Sequence, residues 1–173
     1  KVFPTYRPDK AMLTANIQRW NEWTDALANV SGLTINSAIT FVEALKARHD
    51  YFHEHGCRLT DHGLELCPYI PCSNEDAEAI YKKLRSGLAL DTNEAEQWMT
   101  FILQHVARWN AAKGWTMQFH IGSIRNNNTG MFKKLGPDSA YDSMLDEPVA
   151  RKFVAFLDSP ALPDDLPKSI SSH

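Results

Sequence analysis

The chain lacks any apolar run near the ~20 residues that span a bilayer, and it shows no basic-then-apolar stretch of the secretory type. It has little excess charge. Eighteen Lys and Arg stand against 21 Asp and Glu, for a formal net charge of −3, which gives no electrostatic reason to expect nucleic acid or an anionic membrane as partner. Cysteine is scarce and odd in number, with three in 173 residues, and suits a reducing compartment better than a disulfide scaffold. The N-x-S/T sequons at Asn29 and Asn127 then carry no weight. Cys57, His62, Cys67 and Cys72 are of zinc-ligand type and five residues apart, but Cys57 sits in a candidate strand and only Cys67 and Cys72 stand at C-x4-C spacing, so the paired tight knuckles of a structural zinc site are missing. Internal repeats and low-complexity segments are missing too. So is an initiator methionine: "KVFPTYRPDK" opens as though inside a strand, and "LPKSISSH" stops where another begins. The expectation is a cytoplasmic globular segment of a longer polypeptide, large enough to bury a core of its own.

What is present reads as alternating strands and helices. "VFPTYRPD" is a short β-type run, with Asp9 as a cap for a following stripe of Met12, Ile17, Trp20 and Trp23. A helix from about Asn36 carries Ile39, Val42, Leu45 and Phe52 and stops at Gly56. "CRLTDHGLEL" is the second strand, and "PYIPCS" is a loop with Ser73 or Asn74 as the next cap. Residues 74–113 are strongly helical, in two pieces, the second opening on Thr92 as its cap, three residues before a glutamate-containing turn, with Trp98, Phe101, Ile102, Val106 and Trp109 on one face. "WTMQFHIG" is the third strand. Thr129 is a cap for a short helix stopped by Gly136-Pro137, a last helix covers about Glu147 to Leu157, and a fourth strand starts in "LPDDLPKSI". This order argues for βαβ units and a parallel sheet, an α/β fold.

In parallel α/β folds chemistry collects at the C-terminal ends of strands. The three complete strands end in Thr5 and Arg7, in Asp61 and His62, and in His120 ahead of Arg125. Alternation puts Met117, Phe119 and Ile121 on an outer face and Gln118 and His120 on an inner, polar one. It puts Thr5 with Arg7 and separates Asp61 from His62, so at most one of that pair faces inward. Arg125 suits an anionic substrate through its planar fork, with a surface salt bridge as the plain alternative. Asn126, Asn127 and Asn128 suit a tight loop with left-handed or Asx geometry, or contacts to sugar hydroxyls. His49, His53 and His55 read as a cationic or polar helix end.

The stretches "PTYRPDK", "CRLTDHGLE", "HIGSIRNNNTGMFKKLGPD" and "LPKSI" together resemble the central part of the uronate (glucuronate) isomerase family, in its order and spacing. The resemblance implies the distorted (β/α)8 TIM-type barrel of the amidohydrolase superfamily, with this chain supplying roughly strands three to six and 74–113 as a helical insertion within it. It implies aldose–ketose isomerisation of D-glucuronate to D-fructuronate and of D-galacturonate to D-tagaturonate, a hexuronate sugar as partner, and a divalent metal, zinc, in the full-length enzyme. By the resemblance Arg7, Arg125 and His62 bind substrate, and His120 is a catalytic residue or metal ligand. The family's H-x-H metal pair and strand-end aspartate base fall outside this chain, so the segment alone is expected to hold no metal and to be inactive, with unpaired sheet edges that invite self-association. Gly130 departs from the larger residue expected after the threonine, and "SISSH" is more polar than the family's strand. The rival reading is a non-catalytic helical protein-interaction module with Trp98 and Trp109 exposed, and a third is a small zinc-binding domain at the cysteines.

Overall fold

Pro4 and Pro8 flank the opening residues, and neither can donate a backbone N–H. Between them Tyr6 makes one parallel bridge to Thr60, through its N–H to Leu59 O at 3.3 Å and from the Asp61 N–H to its own carbonyl at 3.1 Å. The expected opening strand is therefore a single bridge. This computed structural model describes residues 2–136, 139, 141–146, 148–160, 162 and 166–172.

Asp9 does not cap a helix. It opens a short 3-10 turn, Asp9–Ala11, with its side chain directed at the sheet, and helix α1 (Ile17–Ser31) is capped by Asn16, which accepts from the Arg19 N–H. Helix α2 (Ala38–Glu54) starts on a reciprocal capping box between Ser37 and Thr40. Strand β1 is Leu59–Leu64. Helix α3 (Asn74–Arg85) starts at Ser73 as expected, boxed with Asp76. Helix α4 (Thr92–Lys113) is boxed by Asp91 and Glu94, one residue before the expected cap, and ends on left-handed Gly114. Strands β2 (Thr116–Ile121) and β3 (Ser123–Ile124) follow, then helix α5 (Thr129–Leu135), which Asn128 rather than Thr129 caps. Strand β4 (Ser143–Met144), helix α6 (Val149–Leu157) and strand β5 (Lys168–Ser172) complete the order. Pro137 and Glu147, expected at a helix stop and a helix start, lie outside the described residues.

The fold is α/β. β1, β2 and β5 form a parallel sheet in that order, and β3 and β4 a separate antiparallel ribbon. Met117, Phe119 and Ile121 are buried as alternation requires, and Phe119 meets Phe153 and Phe156 of α6 edge-on. The helical core centres on Trp20, Phe41, Tyr81 and Trp98, whose rings lie within 6.3 Å of one another where they contact. Both Trp20 and Trp98 donate their indole N–H to Ala11 O at 2.9 Å. Trp98 and Trp109 are both buried, so α4 has no exposed tryptophan face to offer a protein partner. No described helix is long and apolar enough to cross a membrane.

Candidate functional site

One face of the sheet is half open and the other is closed. Along β1 and β2, Thr60, His62, Leu64, Met117, Phe119 and Ile121 are buried, while Asp61, Gly63, Gln118 and His120 are only partly covered. The parallel register sets Asp61 beside Gln118 and Gly63 beside His120, so all four share the open face.

Arg7 reaches this face from the segment beside β1. Its Nε donates to Asp9 Oδ2 at 2.8 Å, and its Nη1 lies 3.2 Å from Asp61 Oδ2. The other Nη lies so close over Gly63 that a Cβ there would come within 2.1 Å of it. A glycine in mid-strand weakens a sheet, and here it gives the guanidinium room to cross. Asp61 Oδ1 lies 2.8 Å from His120 Nδ1, outside hydrogen-bond geometry, and this buried oxygen has no hydrogen-bond partner. The amide of Gln118 is 3.3 Å from His120 Nε2. A carboxylate is thus held between a guanidinium and an imidazole, with half of each basic side chain in solvent.

Asp9 stands behind Arg7. Burial works to raise its carboxyl, but the hydrogen bonds from His62, Arg7 and the Gly63 N–H outweigh it and hold the group below the ordinary carboxylate value. Arg7 is raised in turn, first by its hydrogen bond to Asp9, and stays a cation. His62 is fully buried, with Nδ1 3.1 Å from Asp9 Oδ1 and Nε2 3.1 Å from Thr60 Oγ1. Of the pair that alternation separates, the open face takes Asp61 and the interior takes His62.

Arg125 is not brought to this group. It donates to Asp142 Oδ2 at 2.8 Å, and Asp142 Oδ1 accepts the Asn126 N–H. The three asparagines each shape the loop: Asn126 is left-handed at φ 59, Asn127 bonds Ile124 O, and Asn128 caps α5. Sequence reasoning named Asp61 only as the alternative to His62 and took His62, and it gave Asp9 and Gly63 no place in the site. An aspartate inside a strand, two residues before a glycine, was the available signal.

The cysteines do not converge. Cys57 donates its S–H to Leu59 O at 3.2 Å, and burial pushes the Cys67 and Cys72 thiols up to about 11. His49 is no cationic helix end: it is fully buried, and burial pushes it down to about 4. Among the described residues no group of three or more His, Cys, Asp or Glu is placed to hold a metal ion. Asp61 and His120 offer two donors of the right type, but the Arg7 cation occupies the same carboxylate, so these residues do not by themselves fit a metal.

A family model described as glucuronate isomerase matches residues 1–172. The chain is 41% identical over 170 residues to a uronate isomerase of Opitutus terrae, covering 98% of this chain and 36% of that protein. It is 42% identical over 156 residues to a uronate isomerase of Cellvibrio japonicus, covering 90% of this chain and 33% of that protein. Among solved structures, the uronate isomerase from Thermotoga maritima matches at a TM-score of 0.81 and 31% identity, over 90% of this chain and 34% of that one. The glucuronate isomerase from Caulobacter crescentus matches at 0.79 and 27%, over 90% and 32%. The chain spans about a third of the length of the relatives it matches.

Proposed function

The chain belongs to the glucuronate isomerase family, and on that premise we propose that its open sheet face is part of the sugar-binding surface of a uronate isomerase. The single observation that carries this is the convergence of Arg7, Asp61, Gln118 and His120 on one face of a parallel sheet, with His120 next to the C-terminal end of β2. Tyr6, β1, β2 and β5 follow one another across the sheet in chain order, the winding expected of consecutive strands of a (β/α)8 barrel. That order supports four consecutive barrel strands, and the family resemblance counts them as roughly strands three to six. Two helices, α3 and α4, separate the neighbouring strands β1 and β2 where one crossover helix suffices, which supports 74–113 as an insertion.

Isomerisation of a hexuronate between aldose and ketose moves a proton between C1 and C2 and needs a grip on the carboxylate, a polariser of the carbonyl oxygen and a base. In this reading Arg7 grips the carboxylate with the N–H groups it keeps in solvent. His120, backed by Asp61, faces the sugar oxygens and hands a proton to or from them. Arg125 is a second cation at the mouth, exchanging Asp142 for substrate, and His62 acts from behind the face. A divalent metal, zinc in this reading, would be held by residues outside the chain and would supply a Lewis acid to the complete site.

The test is a chimera in which this chain replaces the matching third of the Opitutus terrae uronate isomerase. It is expected to isomerise D-glucuronate, with kcat/KM falling roughly a hundredfold in Arg7→Ala, as loss of a charged contact to substrate implies, and by a similar factor in His120→Ala, as loss of a proton-transfer group implies. The 173-residue chain by itself is expected to be inactive. Variants that retain full activity in the chimera would refute the site, and robust turnover by the isolated chain would refute its dependence on outside residues.

A further inference from the structure

Behind Arg7 runs a buried polar chain that the proposed chemistry leaves unused. His49 of α2 has Nε2 3.0 Å from Oδ1 of Asn110 on α4, and Asn110 Nδ2 lies 2.8 Å from Thr60 Oγ1. Thr60 Oγ1 is 3.1 Å from His62 Nε2, and His62 Nδ1 is 3.1 Å from Asp9 Oδ1. Asp9 Oδ2 accepts from Arg7 Nε at 2.8 Å and from the Gly63 N–H at 2.9 Å. His49, Asn110, Thr60 and His62 are buried, and Asp9 nearly so.

Thr60 Oγ1 has only Asn110 and His62 as partners among the described residues, so its single O–H goes to one or the other, and a chain with every proton placed runs in one of two directions. Toward the site, His49 donates from Nε2 to the Asn110 carbonyl, Asn110 donates to Thr60, the Thr60 hydroxyl donates to His62 Nε2, and His62 donates from Nδ1 to Asp9. In the opposite direction the Asn110 amide turns over, His62 must donate from both nitrogens, and His49 must carry its proton on Nδ1. His49 Nδ1 is buried without any hydrogen-bond partner, so the opposite direction leaves an orphaned N–H inside the protein. Buried N–H groups without acceptors are rare and costly. The first direction leaves only a lone pair there, on a ring 4.0 Å from that of Trp115. Burial also pushes His49 down to about 4, which keeps it at a single proton.

We propose that Asp9 is the positioning residue for Arg7, aimed by a one-way hydrogen-bond chain that starts at His49 and requires His62 to carry its one proton on Nδ1. Three donors occupy both oxygens of Asp9, so the carboxylate cannot turn. Arg7 is pinned at Nε and one Nη crosses close above Gly63, with the outer N–H groups left for an anion. Of these partners of Asp9 only Arg7 presents a side chain to the reacting face. The role rests on Arg7 gripping the substrate carboxylate.

Two measurements test it separately. Ring-nitrogen NMR of the 15N-labelled 173-residue chain is expected to show His62 as the neutral Nδ1–H form. Thr60→Val, which removes the hydroxyl donor, is expected to keep the Nδ1–H form, because Asp9 still accepts from Nδ1, and to move the bare Nε2 resonance downfield as it loses its hydrogen bond, with Thr60→Ser restoring the original position. An imidazolium or Nε2–H pattern in the unaltered chain overturns the one-way chain. In the chimera, Asp9→Asn is expected to raise KM for D-glucuronate about tenfold with kcat little changed, as lost uniform binding of the carboxylate requires. An unchanged KM in Asp9→Asn, with KM raised in Arg7→Ala, overturns the positioning role and leaves the sugar-binding site standing. An unchanged KM in Arg7→Ala overturns that site, and the positioning role with it, whatever the NMR shows.

Discussion

Gly63 and His49 show how much one residue decides here. At Gly63 a β-carbon would strike the far end of the Arg7 side chain, which can move, and not the backbone. Gly63→Ala is therefore expected to fold, its stability within about 1 kcal/mol of the parent, because the conformational gain from losing glycine offsets the lost ion pairs. Arg7 should swing away from Asp61, so KM for D-glucuronate in the chimera should rise. An unchanged KM would show that the guanidinium does not need the space. His49 sets a pH dependence of folding. Its folded-state value is depressed to about 4, below the ordinary 6.5, so the unfolded chain takes the proton first as pH falls. The stability is intact above about 6.5 and drains away toward 4, by on the order of 3 kcal/mol. Asp9, also held low, extends the loss to still lower pH. Urea midpoints from pH 7 to 4.5 should fall, and His49→Gln, which cannot take the proton, should flatten the slope. A slope unchanged by that substitution would remove His49 as its source.

Among the elements, α4 separates what a cap contributes from what packing contributes. Its Asp91–Glu94 capping box satisfies N–H groups at an exposed end, and Asp91→Ala is expected to cost about 1 kcal/mol. Trp98 is completely buried against Trp20, Phe41 and Phe101 and donates to Ala11 O. Trp98→Ala is expected to cost about 3–5 kcal/mol, because the cavity cannot close among other rings. Denaturant unfolding of both variants checks the ranking, and a larger loss for the cap would reverse it. The cap itself was nearly legible, since "DTNE" carries the acidic partners and only their position was off by one. The fate of Trp98 was legible only as one side of a stripe. A stripe says that a face is buried, not which helices bury it.

For the whole molecule the sheet is the decisive object. β5 is exposed along its full length and pairs on one side only among the described residues, and Ile170 stands half out on the open face. An uncovered parallel edge is a template for another strand. The isolated chain is expected to associate with rising concentration in sedimentation velocity, and Ile170→Lys to suppress this. A strictly monomeric chain at every concentration would show that the edge is blunted already by its serines and Lys168.

By itself the sequence determined the helices, the buried side of β2, the α/β order and, through "HIGSIRNNNTGMF", the family. These are carried by caps, period and local motif, which act within a few residues of one another. The tertiary structure alone decided that Asp61 and not His62 faces the site, that Asp9 is a buried anchor and not a cap, and that Arg125 pairs apart with Asp142. Each depends on strand register or on a contact across the fold, such as the 53 residues between Asp9 and His62. Alternation tells that two neighbours in a strand face opposite ways. Only the packing of helices onto one side of the sheet chooses which of the two is buried.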